Sequence, residues 1–157
     1  MSSTAPRVLP GLEGRSVLVA ADHAPLCLVL IASGATVLAV GPSETLPSEL
    51  HDAGTGLPGS LHYRSRSVGW PAVADWIGER HAGIHAAVVG DEPLDDALAP
   101  HLVDDAPVVS VGHADAGAGP RCHRVTMAEP TEGSAAVVAF LLSDLARPVT
   151  RADLRLT

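Results

Sequence analysis

The chain has 157 residues, a formal charge of −8, 46% apolar residues and only 3% aromatic ones. That length suits one domain with one core, and the core must be built from Val, Leu, Ala and Ile, the usual filling of a parallel sheet between helices. The negative charge argues against nucleic-acid binding through phosphate neutralisation.

Residues 1–14 read as a flexible lead ending in a turn, with Pro6, Pro10, Gly11 and Gly14. The lead has no continuous apolar run of the secretory-signal kind. The longest apolar run, APLCLVLIA at 24–32, is too short to span a bilayer. The expectation is a cytoplasmic protein with no membrane partner. All ten basic residues are Arg and none is Lys, a bias that reads as the mark of a GC-rich genome.

RSVLVAAD at 15–22 predicts a buried strand, and HAPLCLVLIASGA at 23–35 a buried helix, apolar nearly all round and closed by Gly34. TVLAVG (36–41) is a second strand. PSETLPSELHDAG (42–54), interrupted by Pro47, is a weak helix or loop, and the alternating SLHYRSR (60–66) a third strand. WPAVADWIGERHAG (70–83) predicts a helix, with Val73, Trp76 and Ile77 on one face and Pro71 in the first turn. IHAAVVGD (84–91) is a fourth strand, EPLDDALAPHLVDD (92–105) a short helix broken by Pro100, and APVVSVG (106–112) a fifth strand. After the loop HADAGAGP come a sixth strand, RCHRVTM (121–127), a helix, PTEGSAAVVAFLLSDLA (130–146), and a last strand, ADLRLT. Strands alternating with helices imply right-handed crossovers and a doubly wound parallel sheet over residues 15–157. Cys27 and Cys122 fall in an apolar helix and a buried strand and suggest no disulfide framework.

Three stretches resemble the short-chain dehydrogenase/reductase family. EGSAAVVAFLLSDLARPVTRADLRLT (132–157) is similar to the family's final helix, its Ser-Asp-x-Ala-x-x-Val-Thr-Gly turn and its last strand, with Arg151 in place of the Gly. VGWPAVADWIGERHAGIHAAVVGDEP (68–93) resembles the third helix and the strand ending in Asn-Asn-Ala-Gly, which here reads Val89-Gly90-Asp91-Glu92. LEGRSVLVAADHAPLCLVLIASGATVLAVGP (12–42) resembles the first strand–helix–strand unit. The resemblance implies a Rossmann-like fold in a shortened, degenerate form. It does not carry the activity across. The family's Thr-Gly-x-x-x-Gly-x-Gly phosphate loop is here AADHAPLC (20–27), without glycine and with the carboxylate of Asp22 where phosphate would lie. The family's catalytic Tyr–Lys pair has no counterpart in a chain without Lys. The only tyrosine, Tyr63, comes before the fourth strand, and the segment that should carry the pair has shrunk to GHADAGAGPRCH. No cofactor is expected.

In such a sheet ligands bind beyond the carboxyl ends of the strands. Those ends carry Asp22 and His23, Gly41 and Ser43, Arg64 and Arg66, Asp91 and Glu92, and His113 and Asp115. Asp22, His23, Asp91 and His113 are the candidate catalytic groups, since an imidazole beside a carboxylate suits general base chemistry near neutral pH. Ser43, Arg66, Glu92 and Asp115 are candidate substrate contacts. The competing explanation is that Asp, His and Gly favour solvated turns for local reasons. The same acids and imidazoles are also metal-ligand types, but no His-x-x-x-His or Cys-x-x-Cys spacing supports a metal site.

Three functions compete. One is a cofactor-independent, non-redox enzyme that cyclises, isomerises or dehydrates a small organic substrate, as in bacterial specialised metabolism. The second is a non-catalytic dimerising partner of another enzyme. The third is a residual NAD(P)-binding oxidoreductase. The final helix is apolar over most of its circumference, through Ala135, Ala136, Val138, Phe140, Leu141 and Leu142, and the last strand should sit at a sheet edge. In the resembled family these elements pair across a two-fold axis, which implies a homodimer.

Overall fold

A computed structural model describes residues 8–42, 44, 50, 56–81 and 83–156. Seven strands form its sheet: β1 Ser16–Ala20, β2 Thr36–Gly41, β3 Ser60–Ser65, β4 Ala86–Val89, β5 Val108–Ser110, β6 Cys122–Met127 and β7 Asp153–Leu156. All pair in parallel, in the order β3-β2-β1-β4-β5-β6-β7. The chain starts mid-sheet, winds to one edge, returns and winds to the other, so strand order reverses between β1 and β4. This is the expected Rossmann-like, doubly wound α/β architecture.

Helices α1 (Ala24–Ala32) and α3 (Glu132–Leu142) pack against each other on one face of the sheet. Their layer closes over Val17, Val19, Val37, Ala39, Val88 and Val109. Helix α2 (Trp70–Arg80) covers the other face, where Val73, Trp76 and Ile77 meet Leu18, Leu38 and Val89. Gly34 ends α1 as expected. With φ +88°, it lets its own N–H reach Ile31 O at 3.1 Å and the Ala35 N–H reach Leu30 O at 3.0 Å, the two bonds of a Schellman closure.

The structure departs from the expected elements in three places. Segment 92–105 forms a 3-10 turn, Asp96–His101, because Pro100 inside it lacks the N–H an α-helical ladder needs. The helix expected over 130–146 stops at Leu142. Ser143 is extended, its hydroxyl donates to Phe140 O at 2.7 Å, and its carbonyl accepts from the buried Arg121 guanidinium at 2.9 Å. A separate 3-10 turn, Asp144–Ala146, follows. Of residues placed in the lead, Leu12 is fully buried in the core, Leu9 N–H donates to Ser33 Oγ at 2.8 Å, and neighbouring Arg15 pairs with Asp144. The segment 42–54 falls largely outside the described residues.

The crossings from β4 to β5 and from β5 to β6 carry no α-helix. β6 alternates accordingly: His123 and Val125 are buried toward α3, while Arg124 is half-buried and Thr126 exposed. Asp153 and Arg155 stand beside those two on β7 and are exposed as well. This end of the sheet is wet on one face, and its period-2 pattern is that of a half-covered sheet. Cys122, on the same face, is half-buried rather than buried, and both cysteines are free. Among the described residues no helix is long and apolar enough to cross a membrane.

Gly59 leads into β3 where the chain passes over the end of α1, its N–H donating to Ile31 O at 2.9 Å. A Cβ there would lie 2.3 Å from Ala35 O and 2.5 Å from Ile31 O, both backbone atoms. Gly59→Ala should therefore destabilise the fold by at least about 1–3 kcal/mol, the usual range for overpacking, measurable as a lower urea midpoint.

A candidate small-molecule crevice at the strand reversal

β1 and β4 run side by side with Ala20 opposite Val89. Asp22 and Asp91 each follow two residues beyond that pair, past the ends of the strands. Between them and the end of β2 lies a crevice of about 410 Å³. Val19, Ala39, Val40, Leu50 and Cys27 supply apolar lining, and Asp22, His23, Tyr63, Arg66 and Asp91 supply the polar groups.

His23 is only 2% exposed, and both ring nitrogens are engaged. Nδ1 accepts the Leu26 N–H at 3.1 Å, capping α1. That bond leaves the proton on Nε2, which donates to Ser134 Oγ at 3.1 Å. The Ser134 hydroxyl in turn donates to Thr131 O at 3.0 Å and accepts the Thr131 N–H at 2.9 Å, within the capping box of α3. One neutral imidazole thus ties together the starts of α1 and α3. Burial lowers its pKa, against smaller opposing effects of its own backbone and the Asp22 charge. To act as a base, His23 would have to release the α1 cap.

These bonds bear on the fit of a dinucleotide. A phosphate would need free N–H groups at the start of α1. Pro25 has none, the Leu26 N–H is held by His23 Nδ1, and the Cys27 N–H is held by His23 O at 3.3 Å, which leaves that of Ala24 in the first turn. Asp22 adds a carboxylate at the same point. The residues present do not fit a pyrophosphate.

The other half of the crevice mouth, over β4 and β5, is filled by the chain itself. Segment 111–116 folds back across these ends, with the Ala114 N–H on Gly90 O at 2.9 Å and the His113 N–H on Asp91 Oδ1 at 3.2 Å. Arg124 donates to Gly112 O and Ala114 O, each at 3.1 Å, and Ser110 Oγ donates to Ala114 O at 2.5 Å. The approach is so close that a Cβ on Gly112 would lie 2.6 Å from the Gly90 carbonyl carbon.

Of the expected site residues, Asp22, His23, Arg66 and Asp91 line one crevice. His113 is exposed and meets the site through its backbone N–H, not as part of the lining. Glu92 is exposed and also outside the lining. Asp115 belongs to a separate hollow of about 190 Å³ with Cys122, Arg124 and Asp153. Ser43 lies outside the described residues. The sequence reading passed over Tyr63 as a lining residue. Its phenol oxygen lies where a Cβ on Gly41 would be 2.8 Å away, so the missing side chain of Gly41 makes room for it. Cys27 also lines the crevice, but burial pushes its thiol up to about 12, which keeps it protonated at neutral pH. No cluster of three or more metal-ligand side chains occurs among the described residues.

No family model and no curated protein matches the sequence. Solved structures do match the fold. A double mutant of a Serratia marcescens short-chain dehydrogenase/reductase superposes with a TM-score of 0.71 at 12% identity, covering 93% of this chain and 97% of that one. The fold is that of the short-chain dehydrogenases/reductases. Escherichia coli BdcA superposes with a TM-score of 0.62 at 13% identity over 93% of this chain and 98% of its own. An NADH-dependent reductase solved with NAD gives 0.66 at 15% identity, with 93% and 96% covered. On this fold the turn after β1 carries no glycine and the mouth over β4 and β5 is closed.

The locked imidazole makes stability depend on pH. The folded pKa of His23 lies below its unfolded value of 6.5, so the unfolded chain binds the extra proton first. Stability is then complete above about pH 6.5 and falls as pH drops below it, by at most about 1.4 kcal/mol per pH unit for each such group. Burial also lowers His81, His85 and His123, and they add to the slope. Denaturant unfolding between pH 7.5 and 5.5 should show this loss, and His23→Asn, which keeps a capping acceptor without titrating, should show a shallower one.

Proposed function

We propose that the protein is a cofactor-independent, non-redox enzyme acting on a small organic molecule in the crevice between β1, β2 and β4. The observation that carries the reading is the self-filled mouth over β4 and β5, together with the Leu26 and Cys27 N–H groups spent on His23. What stays open is one half of a dinucleotide site, roomy enough for a compact substrate. Asp22 and Asp91, which follow neighbouring strands into the crevice lining, are the proton-transfer groups. Two carboxylates that take and return a proton serve isomerisation, cyclisation or dehydration without moving electrons to a cofactor. His23 serves as a positioning residue that fixes the crevice wall, and Tyr63 and Arg66 contact the substrate from the β2–β3 side. Calorimetric titration with NAD and NADP tests the cofactor half of this reading. No heat of binding is expected up to about 100 µM, and a tighter constant, worth more than roughly 5.5 kcal/mol, contradicts it.

A second reading, a non-catalytic dimerising partner, draws on the C-terminal elements. α3 buries Ala135, Val138, Leu141 and Leu142 within one chain, while Ala136 is half-buried. Phe140 and Leu154 are each 38% exposed and Leu145 51%. Those side chains on the helix, the turn after it and the edge strand are the apolar surface a two-fold contact would cover. The homodimer itself is compatible with either reading. Light scattering at micromolar concentration should give about twice the 16.0 kDa chain mass, and Phe140→Glu should return it to one. A wild-type mass near 16.0 kDa removes the dimer.

A further inference from the structure

Accepting that the crevice is a small-molecule site, we infer that it selects an organic cation, an amine or amidine, whose charge sits between Asp22 and Asp91. The register sets those two side chains two residues beyond the paired Ala20 and Val89, on strands about 4.8 Å apart. Both are exposed and both line the crevice. At the start of α1 an anion finds few N–H donors to offset them, because Pro25 has none and those of Leu26 and Cys27 are bonded to His23. The nearest imidazole, His23, has both nitrogens engaged and brings no positive charge. The one guanidinium in the lining, Arg66, follows β3, two strands from β1 and three from β4. It thus stands at the far end of the crevice and favours a ligand with its polar or acidic end pointing that way. Between the two ends Val19, Ala39, Val40 and Leu50 offer a mainly aliphatic bed for a flat apolar body.

Benzamidine, benzamide and benzoate share one flat shape and carry charges of plus one, zero and minus one, so together they isolate the charge. Each is titrated into the full 15N-labelled chain, and the amide signals of Gly41, Gly90, Asp22 and Asp91 are followed. Benzamidine should shift these signals saturably, and benzoate should not. Asp22→Asn and Asp91→Asn, at exposed positions, should each weaken benzamidine by about ten-fold. Arg66→Gln should strengthen it by roughly two-fold, a gain that loss of folding does not produce. Benzoate or benzamide binding there as tightly as benzamidine overturns the cation preference and leaves the crevice a site. Undiminished benzamidine binding in the Asp22→Asn/Asp91→Asn double variant overturns it too. If none of the three moves these signals, the small-molecule reading of the crevice fails and the inference falls with it.

Discussion

Much of the molecule's character rests on how the His23 ring spends its two nitrogens. Nδ1 closes the start of α1 and Nε2–H reaches the serine at the start of α3. The first bond uses a donor that, in a dinucleotide-binding turn, would face phosphate. The second holds the two helices of one layer at a fixed spacing beside the crevice. A residue type that suggests acid–base chemistry in a sequence is here part of the frame. The groups that this frame presents at the crevice mouth include the two carboxylates of Asp22 and Asp91.

The folded-back segment 111–116 follows the same logic. Its His113 and Ala114 N–H groups and its Gly112 and Ala114 carbonyls are bonded to Asp91, Gly90, Ser110 and Arg124. It is thus a built part of the sheet's upper edge. It needs glycine at 112 because the strand ends approach so closely. The glycine-free turn after β1 and the filled mouth over β4 and β5 are two separate features of one sheet edge.

The alternation of strands and helices was legible because each strand is a short apolar run between turn signals, and α2 shows its buried face through Val73, Trp76 and Ile77. Strand ends were legible too, which is why Asp22, His23, Arg66 and Asp91 emerged together. What was not legible depends on contacts remote in sequence. His23 and Ser134 are 111 positions apart, and nothing local marks one as the other's partner. The path of HADAGAGP depends on Arg124, which follows it, and on Gly90, well before it. Tyr63 had a signal that was passed over: it shares a face of β3 with Leu61, toward α1, and stands near the strand's carboxyl end. The early end of α3 was hidden because Ser143 and Arg121 meet only in the folded chain.

The half-covered end of the sheet has a consequence for how the molecule breathes. β1 and β4 are buried on both faces and paired on both sides, whereas β7 has one neighbour and β6 is wet on one face. Local opening costs least where few apolar contacts must be given up. The resistance of backbone amides to exchange with solvent should thus fall across the sheet, from β1 and β4 out to β7. The crevice stands over these two central strands, so the carboxylates at its mouth should be held by the part of the chain that opens last.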